Sequence, residues 1–218
     1  MSQVISAIQR KGGVAKSTCL ICLAAQFSFD GAKVLIIDTD PQETCVKWEA
    51  KKECGVDVTA HLDDETLLDI INETLKVYDI ILIDTAGYQS AMAVYSMSAS
   101  DLILVPTPAS EPDAVGAIKT IRHIKNVTVN NMIKPKVRAI FTDVDKNTNI
   151  TDAILTQMMK AGVEAIKTPL WHRTGFKEVH STGGRPSGSA LTVLNEFIAE
   201  MQIEELLDFY KRDLKRGC

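Results

Sequence analysis

Short apolar runs alternate with longer amphipathic stretches along the 218 residues of the chain. The runs fall at 4–8, 34–37, 80–83, 102–105 and 137–141, and are rich in Ile, Val and Leu. They are apolar at consecutive positions, the pattern of strands covered on both faces. Between them, spacing predicts helices over 17–29, 42–53, 65–77, 88–98, 111–130 and 149–161, with a last helix over 188–214. The stretch 57–61 can add a strand, and 168–188, with Pro169, Gly175, Gly183, Gly184, Pro186 and Gly188, reads as a loop. Strand–helix alternation implies right-handed crossovers. The fold expected is α/β, a doubly wound, mostly parallel sheet flanked by helices. No linker, repeat or low-complexity segment interrupts it, so 1–218 is read as one domain.

Composition narrows the function classes. A net charge of −4 argues against a surface coated in nucleic acid, so any DNA contact must come from a local patch. Five cysteines, an odd number without a secretory segment, argue for a reducing compartment. The chain starts with a strand-like run rather than a charged region and an apolar core, so no signal peptide is expected. No apolar run approaches the ~20 residues of a membrane span. A cytoplasmic protein is expected.

In open parallel sheets, ligands bind beyond the carboxyl ends of the strands. The loops there read QRKGGVAKST, DTDPQ, DTAG, PTPASEPD and TDVDKNT. The first runs from Gln9 to Thr18, between a strand and a helix, which is the setting of a phosphate loop. Gly12 and Gly13 let the backbone turn and aim N–H groups at phosphate oxygens, and the following helix points its positive end at the same anion. Lys16 would bridge the β- and γ-phosphates, and Ser17 would take a Mg²⁺ position. The pattern G-x-x-x-x-G-K-[ST] fails at both outer glycines, where Arg10 and Ala15 stand. The competing reading, a glycine turn before an ordinary helix, leaves the lysine–hydroxyl pair and the acidic loops unexplained.

Lys11-Gly12-Gly13-Val14-Ala15-Lys16-Ser17-Thr18 resembles the deviant Walker A box, K-G-G-x-x-K-[ST], of the ParA/MinD family of ATPases, which includes relatives of the nitrogenase iron protein. The resemblance implies a P-loop NTPase fold, ATP/ADP and Mg²⁺ as ligands, and Lys11 reaching the nucleotide of a partner subunit. Ala15 departs from the usual glycine, and its methyl group bears on loop conformation and nucleotide affinity. Asp38-Thr39-Asp40-Pro41-Gln42 resembles the family's switch I, which implies that Asp40 positions the attacking water and Asp38 lies near the metal shell. Taken alone, the same residues read as a D-P turn with Asp38 capping the next helix. Asp84-Thr85-Ala86-Gly87, after four apolar strand residues, has the Walker B pattern and resembles switch II. Asp84 would hold Mg²⁺, and Gly87 would contact the γ-phosphate and move when it leaves.

Other signals carry less. Pro106-Thr107-Pro108 and Glu111-Pro112-Asp113 read equally as a dimer-face loop and as turn chemistry with an acidic first helical turn. Thr142-Asp143 and Thr168-Pro169 are candidate base contacts. Cys19 and Cys22 read as buried small residues, because no second pair follows at zinc-like spacing. Lys177, Arg173, Arg185, Lys211, Arg212, Lys215 and Arg216 form a late basic group. In ParA relatives, basic residues of this half bind DNA through phosphates. Each residue alone reads as a solvated cation, four of them at a helix C-terminus. Ile203, Leu206, Leu207, Tyr210 and Leu214 would form an apolar stripe on the last helix, facing the domain or a membrane surface.

The resemblance implies a small ParA-type partition or positioning ATPase. Such a protein would form a homodimer with ATP, bind non-specific DNA while nucleoid-associated, and answer to a ParB-type or other stimulating partner. The alternatives are a MinD-like membrane-positioning ATPase and a DNA-transfer accessory ATPase like the VirC1 proteins, which are similar in size and motif.

Overall fold

Apolar side chains at consecutive strand positions are satisfied only if helices cover both sheet faces, and the computed structural model shows this arrangement. It describes residues 2–208 other than 52, 88–89, 145–149 and 172–173. The strands are β1 (Gln3–Ala7), β2 (Val34–Asp38), β3 (Val56–Ala60), β4 (Ile80–Asp84), β5 (Leu102–Pro108), β6 (Lys136–Val144) and β7 (Ala165–Trp171). They pair in parallel in the order β3-β2-β4-β1-β5-β6-β7.

The helices are α1 (Lys16–Phe29), α2 (Thr44–Glu49), α3 (Leu67–Thr74), α4 (Ala91–Ala99), α5 (Glu111–Val127), α6 (Ile150–Lys160), α7 (Thr174–Thr182) and α8 (Gly188–Ile203). Ile5, Ile36 and Leu82 pack with Leu20, Phe27, Trp48, Phe176 and Phe197 of α1, α2, α7 and α8. The alternate strand residues turn the other way. Ile103 and Val105 meet α4, α5 and α6, while Leu35, Ile37 and Ile83 meet α3 and Met92 of α4.

The pairing register aligns Ala7 and Asp38 with Asp84 at the ends of β1, β2 and β4. The three loops that follow therefore emerge side by side. This is where the strand order reverses, the crevice in which such sheets bind ligands.

The structure corrects the sequence reading in three places. Residues 165–171 form an edge strand rather than the start of a loop, and 174–182 form a helix. Pro169 disguises the strand, yet a proline is tolerated where one strand edge has no neighbour. The last helix ends at Ile203 rather than 214. Glu205 turns to φ 54°, and Leu206 N–H donates to Met201 O at 2.8 Å. Leu206 and Leu207 are then buried, with Gln3 bonded to Leu206 O and Asp208 N, so these leucines cover the sheet without a helical stripe. Ile203 points away, 81% exposed, while Tyr210 and Leu214 lie outside the described residues. The predicted helix over 42–53 shrinks to Thr44–Glu49.

Candidate functional site

The phosphate loop follows β1, and the side chain of Gln9 anchors it. Its amide donates to Pro106 O, and its carbonyl oxygen accepts from Arg10 N–H and the Thr120 hydroxyl. Further along, Thr142 Oγ1 donates to Val14 O at 3.1 Å, tying the loop to β6. Two residues in the loop are left-handed, Gly13 at φ 72° and Ala15 at φ 67°. The glycine takes this conformation freely, whereas an alanine there costs roughly 1–2 kcal/mol. Ala15 thus keeps the turn that starts α1, with Cys19 N–H donating to Ala15 O at 2.9 Å, and carries the strain.

Lys16, at the start of α1, is buried with 7% exposure. Burial lowers its pKa, against the opposing pull of Asp84 and Asp40. A buried ammonium facing open cleft is poised to receive an anion.

The carboxylates behind it have different tasks. Asp38 Oδ2 accepts from Cys45 N–H at 2.8 Å and Val46 N–H at 3.3 Å, and Oδ1 from Asp40 N–H at 3.2 Å. Asp38 therefore caps α2, as the motif-free reading of its turn anticipated. Asp84 is fully buried, and its Oδ1 has no hydrogen-bond partner among the described residues. Burial, reinforced by the Asp38 charge, pushes its carboxyl up to about 6 against the lowering effects of Ser17, Cys45 and Lys16.

Cys45 donates its thiol to Asp84 Oδ2 at 3.4 Å, and Asp38, Cys45 and Asp84 offer ligand atoms within 4.8 Å of one another. A hard divalent cation prefers oxygen ligands, so an orphaned carboxylate oxygen beside the Ser17 hydroxyl fits Mg²⁺. Asp40 is half-buried at the cleft edge, with Oδ1 accepting from Gln42 N–H at 2.9 Å.

These loops open into a cleft of about 560 Å³ lined by Gly12, Gly13, Ala15 to Cys19, Asp40 and Ala86. That is ample for a nucleotide. Its far wall was not found from sequence: Leu170 of β7 with Phe176, Lys177 and His180 of α7. His180 Nε2 lies 2.8 Å from Thr18 Oγ1, joining α7 to the first turn of α1. Phe176 and Val179, apolar and spaced three apart, are the helical signal that could have found it. Thr142 borders the cleft as expected, but Thr168 N–H instead donates to Glu200 of α8. Cys19 and Cys22 are buried free thiols on the α1 side.

Lys11 does not point into the cleft of its own chain. Its Nζ donates to Asp113 Oδ1 at 2.7 Å, while Asp113 Oδ2 accepts from Ser110. Burial alone would raise the Asp113 carboxyl, but the Lys11 and Ser110 bonds hold it below its ordinary value. Lys11 remains 64% exposed.

Of the late basic group, Lys177 borders the cleft, while the Arg185 guanidinium stacks 3.5 Å from the Phe29 ring centroid. Arg173, Lys211, Arg212, Lys215 and Arg216 lie outside the described residues, as does part of the loop after Gly87. No helix among the described residues is long and apolar enough to cross a membrane.

Comparison with known proteins agrees with this geometry. The model of the VirC1 protein family matches residues 2–185. The protein ParA of Rhizobium radiobacter is 26% identical over 196 residues, covering 83% of each chain. A Cyanothece McdA variant in complex with ATP superposes with a TM-score of 0.77 at 14% identity, over 94% of this chain and 96% of that one. The septum site-determining protein MinD of Pyrococcus horikoshii, complexed with Mg-ADP, does so at 0.70 and 16% identity, over 94% and 97%. A buried P-loop lysine, two acidic strand ends and a doubly wound parallel sheet thus come with a family match over most of the chain: the protein belongs to the VirC1 family, within the ParA/MinD group of P-loop ATPases.

Proposed function

We propose that this protein is a Mg-ATP-driven switch of the ParA type, which dimerises around ATP, binds DNA without reading its sequence, and is released by hydrolysis. The observation that carries this reading is Lys16, buried in the loop and flanked by Asp84 and Asp40, at the mouth of a nucleotide-sized cleft.

The backbone of residues 12–18 cradles the phosphates, and Lys16 neutralises charge between the β- and γ-groups. Ser17 and Asp84 hold Mg²⁺, with Asp38 supporting them from behind. The bound ion supplies charge neutralisation on the phosphate oxygens. Asp40 orients the attacking water, and Gly87 senses the γ-phosphate. Lys11 leaves Asp113 to reach the partner's nucleotide, so dimerisation depends on ATP. The similarity to ParA supports plasmid or chromosome partition as the setting, with hydrolysis stimulated by a ParB-type partner.

The test is binding to a random-sequence duplex with no nucleotide, ADP or ATP across a salt series. ATP-specific binding that weakens steeply with salt is expected. Absence of binding in every nucleotide state would remove DNA from the proposal. The VirC1 family match favours a second setting, DNA transfer. Competition against the random duplex by one defined-sequence duplex far more strongly than by others would select it.

A further inference from the structure

The parallel sheet has a second end, opposite the nucleotide cleft, where the strands begin and the helices stop. The connection from α5 to β6 lies there, and its charge is one-sided. No aspartate or glutamate occurs from 114 to 142, a stretch that holds Lys119, Arg122, Lys125, Lys134, Lys136 and Arg138. The chain as a whole carries −4. Of these cations only Arg138 forms an ion pair among the described residues, with Glu164 and Glu204.

The connection is held in place. Thr128 Oγ1 donates to Ile124 O at 2.9 Å, and Asn131 N–H donates to Thr128 O at 3.1 Å. Asn131 Nδ2 donates to Ser98 O of α4 at 3.0 Å. From this anchored turn Val129, Met132 and Ile133 stand in solvent, at 55%, 103% and 80% exposure. Exposed apolar side chains grouped within a polar surround mark a contact surface, whereas single ones do not. Lys125, Lys134 and Lys136 are exposed beside them. Lys136 donates only to a neutral carbonyl, Glu205 O, so its charge is not cancelled there. Acids at this end of the sheet are engaged or set to one side. Asp101 accepts from Val4 N–H, and Glu164 and Glu204 hold Arg138, while Glu205 and Asp208 follow α8.

We propose that this tip is a membrane-docking surface. Val129, Met132 and Ile133 enter the headgroup boundary of an anionic bilayer, and Lys125, Lys134 and Lys136 meet the lipid phosphates. Apolar burial and a basic patch are the two signals that together hold a protein at a lipid surface. A DNA backbone would satisfy the lysines but leave three apolar side chains in water. Docking by this end turns the nucleotide cleft away from the membrane, so it requires neither ATP nor the dimer.

The test is sedimentation of the full chain with sucrose-loaded vesicles of phosphatidylcholine, with and without phosphatidylglycerol. Pelleting with the anionic vesicles alone is expected, equally without nucleotide and with Mg-ADP. Met132→Ser with Ile133→Ser should weaken partitioning about tenfold or more, because two apolar side chains no longer leave water. Met132→Leu with Ile133→Leu should retain it. Lys125→Gln with Lys134→Gln should weaken it about tenfold and flatten its salt dependence. All four side chains are exposed, so these changes spare the core, and Mg-ADP binding checks that each variant is folded. Wild type left in the supernatant with anionic vesicles would overturn the proposal. So would pelleting unchanged in either polar variant, which would move the contact elsewhere, to the basic residues at 211–216 for example. Loss of random-duplex binding in the lysine variant, with no vesicle binding by wild type, would make the tip a DNA surface instead.

Discussion

At the scale of single residues, the candidate site is a set of buried groups held in costly states. Ala15 sits left-handed where glycine would be unstrained. Ala15→Gly removes that strain but frees the unfolded chain, so a net stabilisation within about 1 kcal/mol is expected by chemical denaturation of the nucleotide-free protein.

Asp84 is the larger case. Its carboxyl is raised to about 6 by burial, so the native state holds its proton more tightly than the unfolded chain does. The resulting destabilisation is absent at low pH, develops as pH rises from about 4 to about 6, and is complete at neutrality. Asp84→Asn is therefore expected to stabilise the nucleotide-free protein at pH 7 by about 1–3 kcal/mol, with the gain vanishing near pH 4. Melting curves at the two pH values check this. Equal gains at both would show that burial of the charge is not the cause.

The sequence disclosed Lys16, Asp40 and Asp84 because their chemistry is tied to loop positions. It offered the Asp38 cap on α2 only as the alternative to a metal role, and it could not disclose that Cys45 donates to Asp84, which depends on where the short helix turns back.

At the scale of elements, the five strands with apolar residues at consecutive positions were legible, and so were the helices that return between them. What escaped was the far side of the cleft. β7 contains Pro169 and only intermittent apolar residues, and α7 carries just Phe176 and Val179 as buried contacts. Gly175 allows α7 to approach α8, because a methyl group there would sit 2.9 Å from Ala190 Cβ. A glycine read along the sequence signals a loop, whereas here it marks close packing.

The link from α7 to the phosphate-loop helix is His180. Burial lowers its pKa, and the nearby Lys51 lowers it further. The unfolded chain therefore takes up the proton first. The stability that neutral His180 contributes is present above about pH 6.5 and is lost as pH falls below it. His180→Gln, which retains a hydrogen-bonding side chain for Thr18, is expected to flatten the stability profile between pH 5 and about 6.5. A profile unchanged from wild type would exclude His180 as the titrating group.

At the scale of the whole molecule, sheet order does the assembling. Registering β1, β2 and β4 side by side aligns Ala7, Asp38 and Asp84, and three loops distant in sequence converge on one cleft. The same architecture leaves Lys11 tethered to Asp113 at the edge rather than turned inward. That pair is mostly exposed on the lysine side, so releasing it is worth at most about 1 kcal/mol. Asp113→Asn is expected to strengthen the ATP-dependent dimer by up to about fivefold in sedimentation, and Lys11→Ala to weaken the dimer more than monomeric ATP binding. Unchanged dimerisation in Lys11→Ala would remove the lysine from the cross-subunit role.

The proposed chemistry is hydrolysis of Mg-ATP in the cleft, with Asp40 orienting the water. Phosphate release from Mg-ATP, measured on wild type and Asp40→Ala at matched nucleotide occupancy, tests it most directly. Wild type is expected to release phosphate steadily, and the variant about 100-fold or more slowly with ATP still bound. Turnover by Asp40→Ala at the wild-type rate would contradict it.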